Sequence, residues 1–438
     1  MKILLNAVSI KEGGATVVLL KRLASLRRLR PDIEWIVVAN ANARFDPTPD
    51  PKVTWILTSW IDKSAVHAFF WYEFVLPSLV REHRPDLVFS QTNFLPLQRL
   101  PCPTLLLVQH AGYYSEAFKG LMKDWKGSLL AGAIWALRSA WVRHSVRAAT
   151  SVTVQTRALA EAIDACGNRR ADDLSLIAEG PGLAQPLDAP RAHERPDVFR
   201  IGYVTNWGVQ KNFTTLFHAA RSLRDSGRRF KIVLTLSEQD PRCQGIFAAA
   251  REIGVENLIE NHGLVSQDKI AEIYDGLDIF AFPSLCESFG LPMIEAMAHG
   301  LPIVVAATPE NIEMTQDAGL SFAPMDATEL ATHLAKLIDD DEERAKRGEL
   351  SLARSRDFSW ETTAEQTIRA FEQTLEKADR AAQRPDLSPT PAFGENAASL
   401  FPTFGRAAPR TPASPSAALS RRAAMSANYQ MSEFVPPK

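Results

Sequence analysis

The chain has 438 residues, 46% of them hydrophobic, and a formal net charge of −2. That length suffices for two or three domains with sizeable cores, and the near-neutral balance excludes a general attraction to nucleic acid. Cys102, Cys166, Cys243 and Cys286 are widely spaced, form no metal-ligand pattern and read as free thiols of a reducing compartment.

The opening run Met1-Lys-Ile-Leu-Leu-Asn-Ala-Val-Ser9 is too short an apolar stretch for a signal peptide and reads as a first strand, Ile3 to Ala7. Gly13 and Gly14 form the turn after it, and Thr16 to Leu29 has helical periodicity. Further strands are expected at Trp35 to Ala39, Val53 to Leu57, Leu87 to Ser90, Thr104 to Val108 and Ser151 to Val154. Ala65 to Glu82 reads as a helix that Pro77 kinks or breaks, and Arg157 to Ala165 as another helix. Residues 181–197, rich in Pro, Ala and Asp, read as a linker. A second series follows, with strands at Phe199 to Val204, Lys231 to Leu236, Leu258 to Asn261, Asp278 to Phe282 and Pro302 to Ala306. Short apolar strands alternating with helices imply parallel sheets covered on both faces, with ligands bound at the carboxyl ends of the strands. From about Asp379 to Lys438 the composition turns to Ala, Pro, Ser and Arg, with nine of the 28 prolines, and disorder is expected there.

The densest chemistry lies in Phe282-Pro-Ser-Leu-Cys-Glu-Ser-Phe-Gly-Leu-Pro-Met-Ile-Glu-Ala-Met-Ala-His-Gly-Leu-Pro-Ile-Val-Val305. It sets Glu287 and Glu295 eight positions apart, with Gly290 where backbone can approach a ligand and Pro292 at the first turn of a helix. A helix entry offers free N–H groups and partial positive charge to a phosphate, whereas flanking carboxylates accept hydrogen bonds from hydroxyl groups. Amides for a diphosphate with carboxylates for hydroxyls on either side describe a nucleotide sugar. Lys211, in Tyr203-Val-Thr-Asn-Trp-Gly-Val-Gln-Lys-Asn212, follows a strand at a helix start, where a cation is unfavourable unless an anion is near. No Gly-x-Gly-x-x-Gly follows a strand, which argues against a dinucleotide cofactor.

The segment from Glu287 to Glu295, within Pro-Ser…Glu-Ser-Phe-Gly-Leu-Pro…Glu-Ala-Met-Ala…Gly-Leu-Pro-Ile-Val, resembles the signature of retaining glycosyltransferase family 4, of the GT-B fold. The resemblance covers roughly residues 1 to 377. It implies an α/β protein of two Rossmann-like α/β/α domains with parallel sheets facing a central cleft: an acceptor domain over 1–180, a linker over 181–197, a nucleotide-sugar domain over 198–360, and a helix over 361–378 crossing back to the first domain. Residues 379–438 form the disordered tail. It also implies a sugar moved with retention from a nucleoside-diphosphate-sugar to a glycan or lipid-linked acceptor of envelope or exopolysaccharide synthesis, with no required metal and no cofactor beyond that co-substrate.

By resemblance, His110 at a strand end faces the donor sugar, Lys211 pairs with the phosphates, and Glu287 contacts the sugar hydroxyls. Glu295 accepts from the ribose, the amides of Phe289, Gly290 and Leu291 face sugar and diphosphate, and Gly14 lies beside the diphosphate. Where such proteins commonly carry an arginine, this chain has Asn206, which donates a hydrogen bond but no charge. Asn93 is a weaker candidate for acceptor contact. Two alternatives stay open: a non-catalytic partner of the same fold, and a sugar-nucleotide epimerase.

Residues 129–147 carry Leu130, Ala133, Ile134, Leu137, Trp141 and Val142 along one helical face, with Lys123, Lys126, Arg138, Arg143 and Arg147 around it. That pattern suits an anionic membrane surface or a domain helix packed on its sheet. With no apolar run long enough to span a bilayer, the expectation is a cytoplasmic protein, peripheral on the inner membrane face.

Overall fold

The computed structural model describes residues 1–11, 13–43, 50–126, 129–182, 186–190 and 195–383, without the side chains of 124–126, 129–130 and 267–268. The tail expected to be disordered lies, from residue 384 on, outside the described residues. Two compact units are resolved, Met1–Leu375 and Glu376–Lys438, and both sheets belong to the first.

The first sheet comprises β1 (Lys2–Ala7), β2 (Glu34–Asn40), β3 (Val53–Thr58), β4 (Leu87–Ser90), β5 (Thr104–Leu107), β6 (Ser151–Val154) and β7 (Ser175–Leu176). The second comprises β8 (Phe199–Tyr203), β9 (Phe230–Leu234), β10 (Ile259–Asn261), β11 (Ile279–Phe282), β12 (Ile303–Ala306) and β13 (Leu320–Phe322). The orders are β3-β2-β1-β4-β5-β6-β7 and β10-β9-β8-β11-β12-β13. Every ladder within both sheets is parallel. Each sheet reverses direction of winding at its centre, between β1 and β4 and between β8 and β11, so a crevice opens there at the strands' carboxyl ends. The central strands β4, β5, β6, β11 and β12 are buried at every position, which is why they read as continuous apolar runs rather than alternating ones.

Two edge strands, β7 and β13, were not expected from the sequence. Each has only two or three residues and remains partly exposed, so neither carries an apolar run. The helix around Pro77 also departs from expectation. Ala65–Phe70 passes through a π turn, Trp71–Val75, into Leu76–His83, with Pro77 in the first turn of that last helix. Pro77 has no N–H to offer the carbonyl four residues back. That carbonyl, of Glu73, instead accepts the side-chain amide of Gln98, while the Glu73 carboxylate accepts Leu97 N–H at 2.6 Å. The disruption is thus absorbed as a widened turn upstream of the proline, without a break.

The helix Leu129–Ala148 is divided in a way its periodicity did not show. Val142 is fully buried and Trp141 packs inward on Tyr72 and Phe94, whereas Ala133 and Leu137 face solvent.

Helix Trp360–Ala382 lays Ala364, Ile368, Ala370 and Phe371 against the first sheet. Phe371 is fully buried, with its ring 6.2 Å from Trp35 and 5.3 Å edge-on to Phe89. Truncating a fully buried phenylalanine costs about 3–5 kcal/mol. Phe371→Ala should therefore lower stability by about that amount in urea unfolding followed by circular dichroism.

Candidate active site

The loop after β8 and the loop after β11 are stitched together at the crevice of the second sheet. Leu285 N–H donates to the Gln210 carbonyl at 2.9 Å, and Asn212 donates its side-chain amide to the Pro283 carbonyl at 3.1 Å. Asn212 itself adopts φ 52°, ψ 44°, one of the few non-glycine left-handed residues, and opens the helix Phe213–Asp225. This bracing brings Lys211 Nζ to 2.6 Å from Glu287 Oε1, with the two side chains only 12% and 14% exposed. Ser284 Oγ donates to the same Glu287 oxygen at 2.5 Å, and Lys211 Nζ lies 5.8 Å from the centre of the Phe282 ring. The backbone N–H of Glu287 donates to Glu310 Oε1 at 3.1 Å, and burial holds the Glu310 carboxyl above its ordinary range.

Gly290, at φ 79° and ψ 56°, starts the helix Leu291–Ala298. A Cβ there would displace the end of the Met293 side chain, and the left-handed backbone is what favours glycine. No side chain caps this helix; Pro292 has no N–H and Met293 N–H donates to the Gly290 carbonyl at 2.8 Å, which leaves the amides of Gly290 and Leu291 to face a ligand. The Phe289 side chain is buried against Phe358, with ring centres 5.8 Å apart; any donor contact it makes is through its backbone.

Glu295 lies in the second turn of that helix and is 7% exposed. Tyr274 donates its hydroxyl to Glu295 Oε2 at 2.9 Å, while the other oxygen faces Gly182, where a Cβ would approach within 2.2 Å. Burial pushes the Glu295 carboxyl up to about 7, against the lowering effect of the Tyr274 hydrogen bond. His299 packs rather than binds: its ring stacks on Tyr274 at 5.0 Å and Nδ1 lies 2.8 Å from the Glu295 carbonyl.

The first sheet supplies the facing wall. His110 follows β5 and is half-buried. Its Nδ1 accepts the Gly112 N–H at 3.0 Å, which puts the ring proton of the neutral imidazole on Nε2. Burial lowers His110 to about 4, and Arg138 and Lys211 add to that while Glu287 opposes it. Tyr113 and Phe118 surround the ring at 5.0 and 5.3 Å. Asn93, weighed from sequence as an acceptor contact, instead positions His110. At φ 66° it accepts the backbone N–H groups of Gln109 and His110 at 2.6 and 3.1 Å.

Gly13 and Gly14 close the crevice from the end of β1. A Cβ on Gly14 would meet Leu291 Cδ1 at 3.0 Å, and one on Gly13 (φ 71°) would meet Asn206 Nδ2 at 3.2 Å. Asn206 is exposed. Ser288, unremarked in the sequence reading, ties the two walls: its hydroxyl donates to the Gln109 carbonyl at 2.7 Å and its carbonyl accepts Thr156 Oγ at 3.3 Å. Nearby, Glu313 accepts the first two N–H groups of helix Arg157–Ala165 at 2.7 and 2.8 Å. Ser288 lies inside the Glu-Ser-Phe-Gly-Leu-Pro signature without its role being legible there, and Glu313 lies in no motif; only the meeting of two distant segments reveals what they do. His110, Lys211, Glu287, Gly14, Asn206, Phe289, Gly290, Leu291 and Glu295 therefore line or brace one crevice together with Asn93, and Glu310, Ser284, Tyr274 and Gly182 join them.

Two parallel α/β sheets whose carboxyl ends share one crevice constitute the GT-B architecture. Residues 188–351 match the family described as Glycosyl transferases group 1. An O-antigen chain mannosyltransferase B of Escherichia coli is 30% identical over 173 residues, which is 39% of this chain and 44% of that relative. A D-inositol 3-phosphate glycosyltransferase of Corynebacterium aurimucosum is 34% identical over 168 residues, 37% of this chain and 40% of the relative. The matches thus span less than half of these curated relatives. In fold the likeness extends over most of the chain. The sucrose-phosphate synthase of Thermosynechococcus elongatus superposes with a TM-score of 0.64 at 18% identity, over 86% of this chain and 99% of that one. Anabaena Alr3699/HepE in complex with UDP-glucose gives 0.62 at 19% identity, over 85% and 100%.

The raised Glu295 pKa has a thermodynamic sign. Folding raises the carboxyl from 4.5 to about 7, so the native state holds the proton more tightly than the unfolded chain. Stability is full below about 4.5 and declines as pH rises through about 7. Glu295→Gln removes this penalty. Relative to the unaltered protein, the variant should gain stability between pH 5 and pH 8, by up to roughly 3 kcal/mol, in parallel urea titrations. A stability difference that is flat with pH would contradict the assignment.

Proposed function

We propose that this chain is a retaining glycosyltransferase that moves a sugar from a nucleoside-diphosphate-sugar to a glycan or lipid-linked acceptor, without a required metal. The observation that carries the reading is one cluster: an uncapped helix entry at Gly290, flanked by Glu287 in contact with Lys211 on one side and Glu295 on the other, opposite His110. Fixed donors around a developing charge are usually the largest catalytic term. Lys211 has three N–H donors. It spends one on Glu287 and has others for the departing diphosphate, which the amides at Gly290 and Leu291 also face. Glu287 and Glu295 receive sugar and ribose hydroxyls. His110, neutral and donating from Nε2, hydrogen-bonds the donor sugar or a phosphate oxygen. The acceptor oxygen bonds to the anomeric carbon on the face from which the phosphate oxygen leaves, and that phosphate oxygen takes the hydroxyl proton. The cytoplasmic placement and envelope-glycan role are part of the same proposal. The relatives support its chemistry: two bear glycosyltransferase names, and one solved structure of this fold holds UDP-glucose.

Asn206 favours a second reading, a non-catalytic partner of the same fold, because it puts a neutral amide where such proteins commonly hold a cation. The two readings separate on Lys211. A panel of UDP-, GDP- and ADP-sugars should include one that raises the melting temperature of the native protein and is turned over. Lys211→Ala should cut turnover by at least about 100-fold, the scale on which single charge-stabilising donors act. If instead no nucleotide sugar is consumed until Asn206→Arg is introduced, the partner reading stands.

Donor binding should also be linked to pH through Glu295. Hydroxyl donors favour the ionised carboxylate, so affinity for the donor should tighten as pH rises from 6 to 8 and lose that dependence in Glu295→Gln, measured by calorimetry in buffers of different ionisation enthalpy.

A further inference from the structure

The signature carries two carboxylates, and the fold brings a third beside them. Glu310 stands in the first turn of the helix Pro309–Thr315, which follows β12 and is capped by the Thr308 hydroxyl. The next residue, Asn311, is fully buried and donates its side-chain amide to the carbonyls of Ala306 and Ser284 at 3.0 and 3.1 Å, which fixes the helix against the start of the signature loop. Glu310 and Glu313 are three apart and share one helix face. Glu313 shows what that face meets, since its two oxygens accept the Arg157 and Ala158 N–H groups of the first half. Glu310 is half-buried on that face, at the seam between the halves, and accepts the Glu287 N–H at 3.1 Å.

That contact does not call for a charge, because any oxygen acceptor would hold one N–H. The helix dipole favours an acid in a first turn, but only weakly. Against it stand burial and the neighbouring Glu287 carboxylate, both of which oppose ionisation of Glu310. Among the described residues, the groups that support the charge are the amides of Glu287 and of Glu310 itself and the Thr308 hydroxyl; none is a cation. Glu287, by contrast, has Lys211 and Ser284 on one oxygen. Glu310 is therefore an acceptor short of donors. The two adjacent carboxylates repel a phosphate from this position, and hydroxyl groups are what it suits. We propose that Glu310 is a specificity-determining residue that accepts a hydrogen bond from a hydroxyl of the transferred sugar. The inference rests on the proposed transfer from a nucleotide sugar, in which Glu287 receives sugar hydroxyls and Glu295, across the Gly290 entry, receives the ribose. Glu310 is bonded to Glu287, so it adds a contact at the sugar end. When a sugar lacks that hydroxyl, or carries it inverted, the carboxylate stays unpaired and the complex is weakened. The donor is thus a hexose whose hydroxyls are free on the edge turned to the end of β12, not a sugar deoxygenated there.

The test is calorimetry on the full chain with UDP-glucose, UDP-galactose, GDP-mannose and ADP-glucose, and with bare UDP, GDP and ADP, for the native protein, Glu310→Gln and Glu310→Ala. The ratio of conjugate affinity to bare diphosphate affinity should fall by about tenfold in both variants, the scale of a hydrogen bond to a charged group. Affinity for the bare diphosphate should stay unchanged. Glu310→Gln keeps an oxygen for the Glu287 N–H, so its loss separates the sugar contact from the bracing of the loop. One deoxy derivative of the preferred donor should bind the native protein and Glu310→Gln alike, which marks the hydroxyl that is read. An equal loss for conjugate and bare diphosphate overturns the proposal and leaves Glu310 as a brace of the Glu287 loop. Unchanged affinity for every conjugate in both variants overturns it as well, without touching the transferase reading. Failure of the native protein to bind any conjugate sinks the nucleotide-sugar reading itself, and this inference with it.

Discussion

The two halves of the crevice meet through glycine. Gly13 lies against Asn206, Gly14 against Leu291 and Gly182 against Glu295, at separations where a Cβ would stand 2.2 to 3.2 Å from the opposing atom. The opposing atoms are ends of side chains, so a β-carbon at Gly13 or Gly14 would ask its neighbour to give by a few tenths of an ångström, whereas one at Gly182 would displace the Glu295 carboxylate itself. The parallel sheets fix where the loops emerge, and the Ser288 and Glu313 bonds tie the two walls together.

The two carboxylates of the signature are consequently not equivalent. Glu287 is held by a cation and a hydroxyl and keeps its charge compensated. Glu295 has one hydroxyl donor and no cation within the interactions that set its pKa, so burial dominates. A buried carboxylate short of donors is a poor neighbour for a phosphate and a good one for a pair of vicinal hydroxyls. Lys211, by contrast, is held on Glu287 at the other side of the same helix entry. On the proposed reading, hydroxyl recognition at Glu295 and anion recognition at Lys211 flank that one entry.

Much of this was legible in the sequence. The continuous apolar runs revealed the central strands because both faces of a parallel sheet are covered, and Gly290-Leu-Pro-Met revealed the helix entry because only glycine tolerates its backbone angles and proline suits the first turn. What stayed hidden was long-range. Asn93 acts through two backbone amides 16 and 17 residues away, and Tyr274 reaches Glu295 from another helix. Neither residue type announces such a role locally. The helix 129–148 misled for a different reason. The sequence grouped Ala133, Leu137, Trp141 and Val142 on one apolar face, but the sheet takes only part of it: Trp141 and Val142 turn in, while Ala133 and Leu137 turn out.

The strap joining the halves is itself fastened to the first. Arg22 Nη2 donates to Glu179 Oε1 at 2.5 Å and Gln155 to the same oxygen at 2.9 Å, both fully enclosed. Trp360 Nε1 donates to the Pro181 carbonyl at 2.7 Å, and Thr363 Oγ to that of Ala178 at 2.8 Å. Removing one member of a buried ion pair costs several kcal/mol, about 3–5, so this end of the strap is firmly anchored; further along, Leu187 N–H donates to the Ala298 carbonyl at 3.0 Å and Arg356 Nη2 to the carbonyls of Leu187 and Asp188 at 3.1 and 3.0 Å, which fastens the strap to the second half as well.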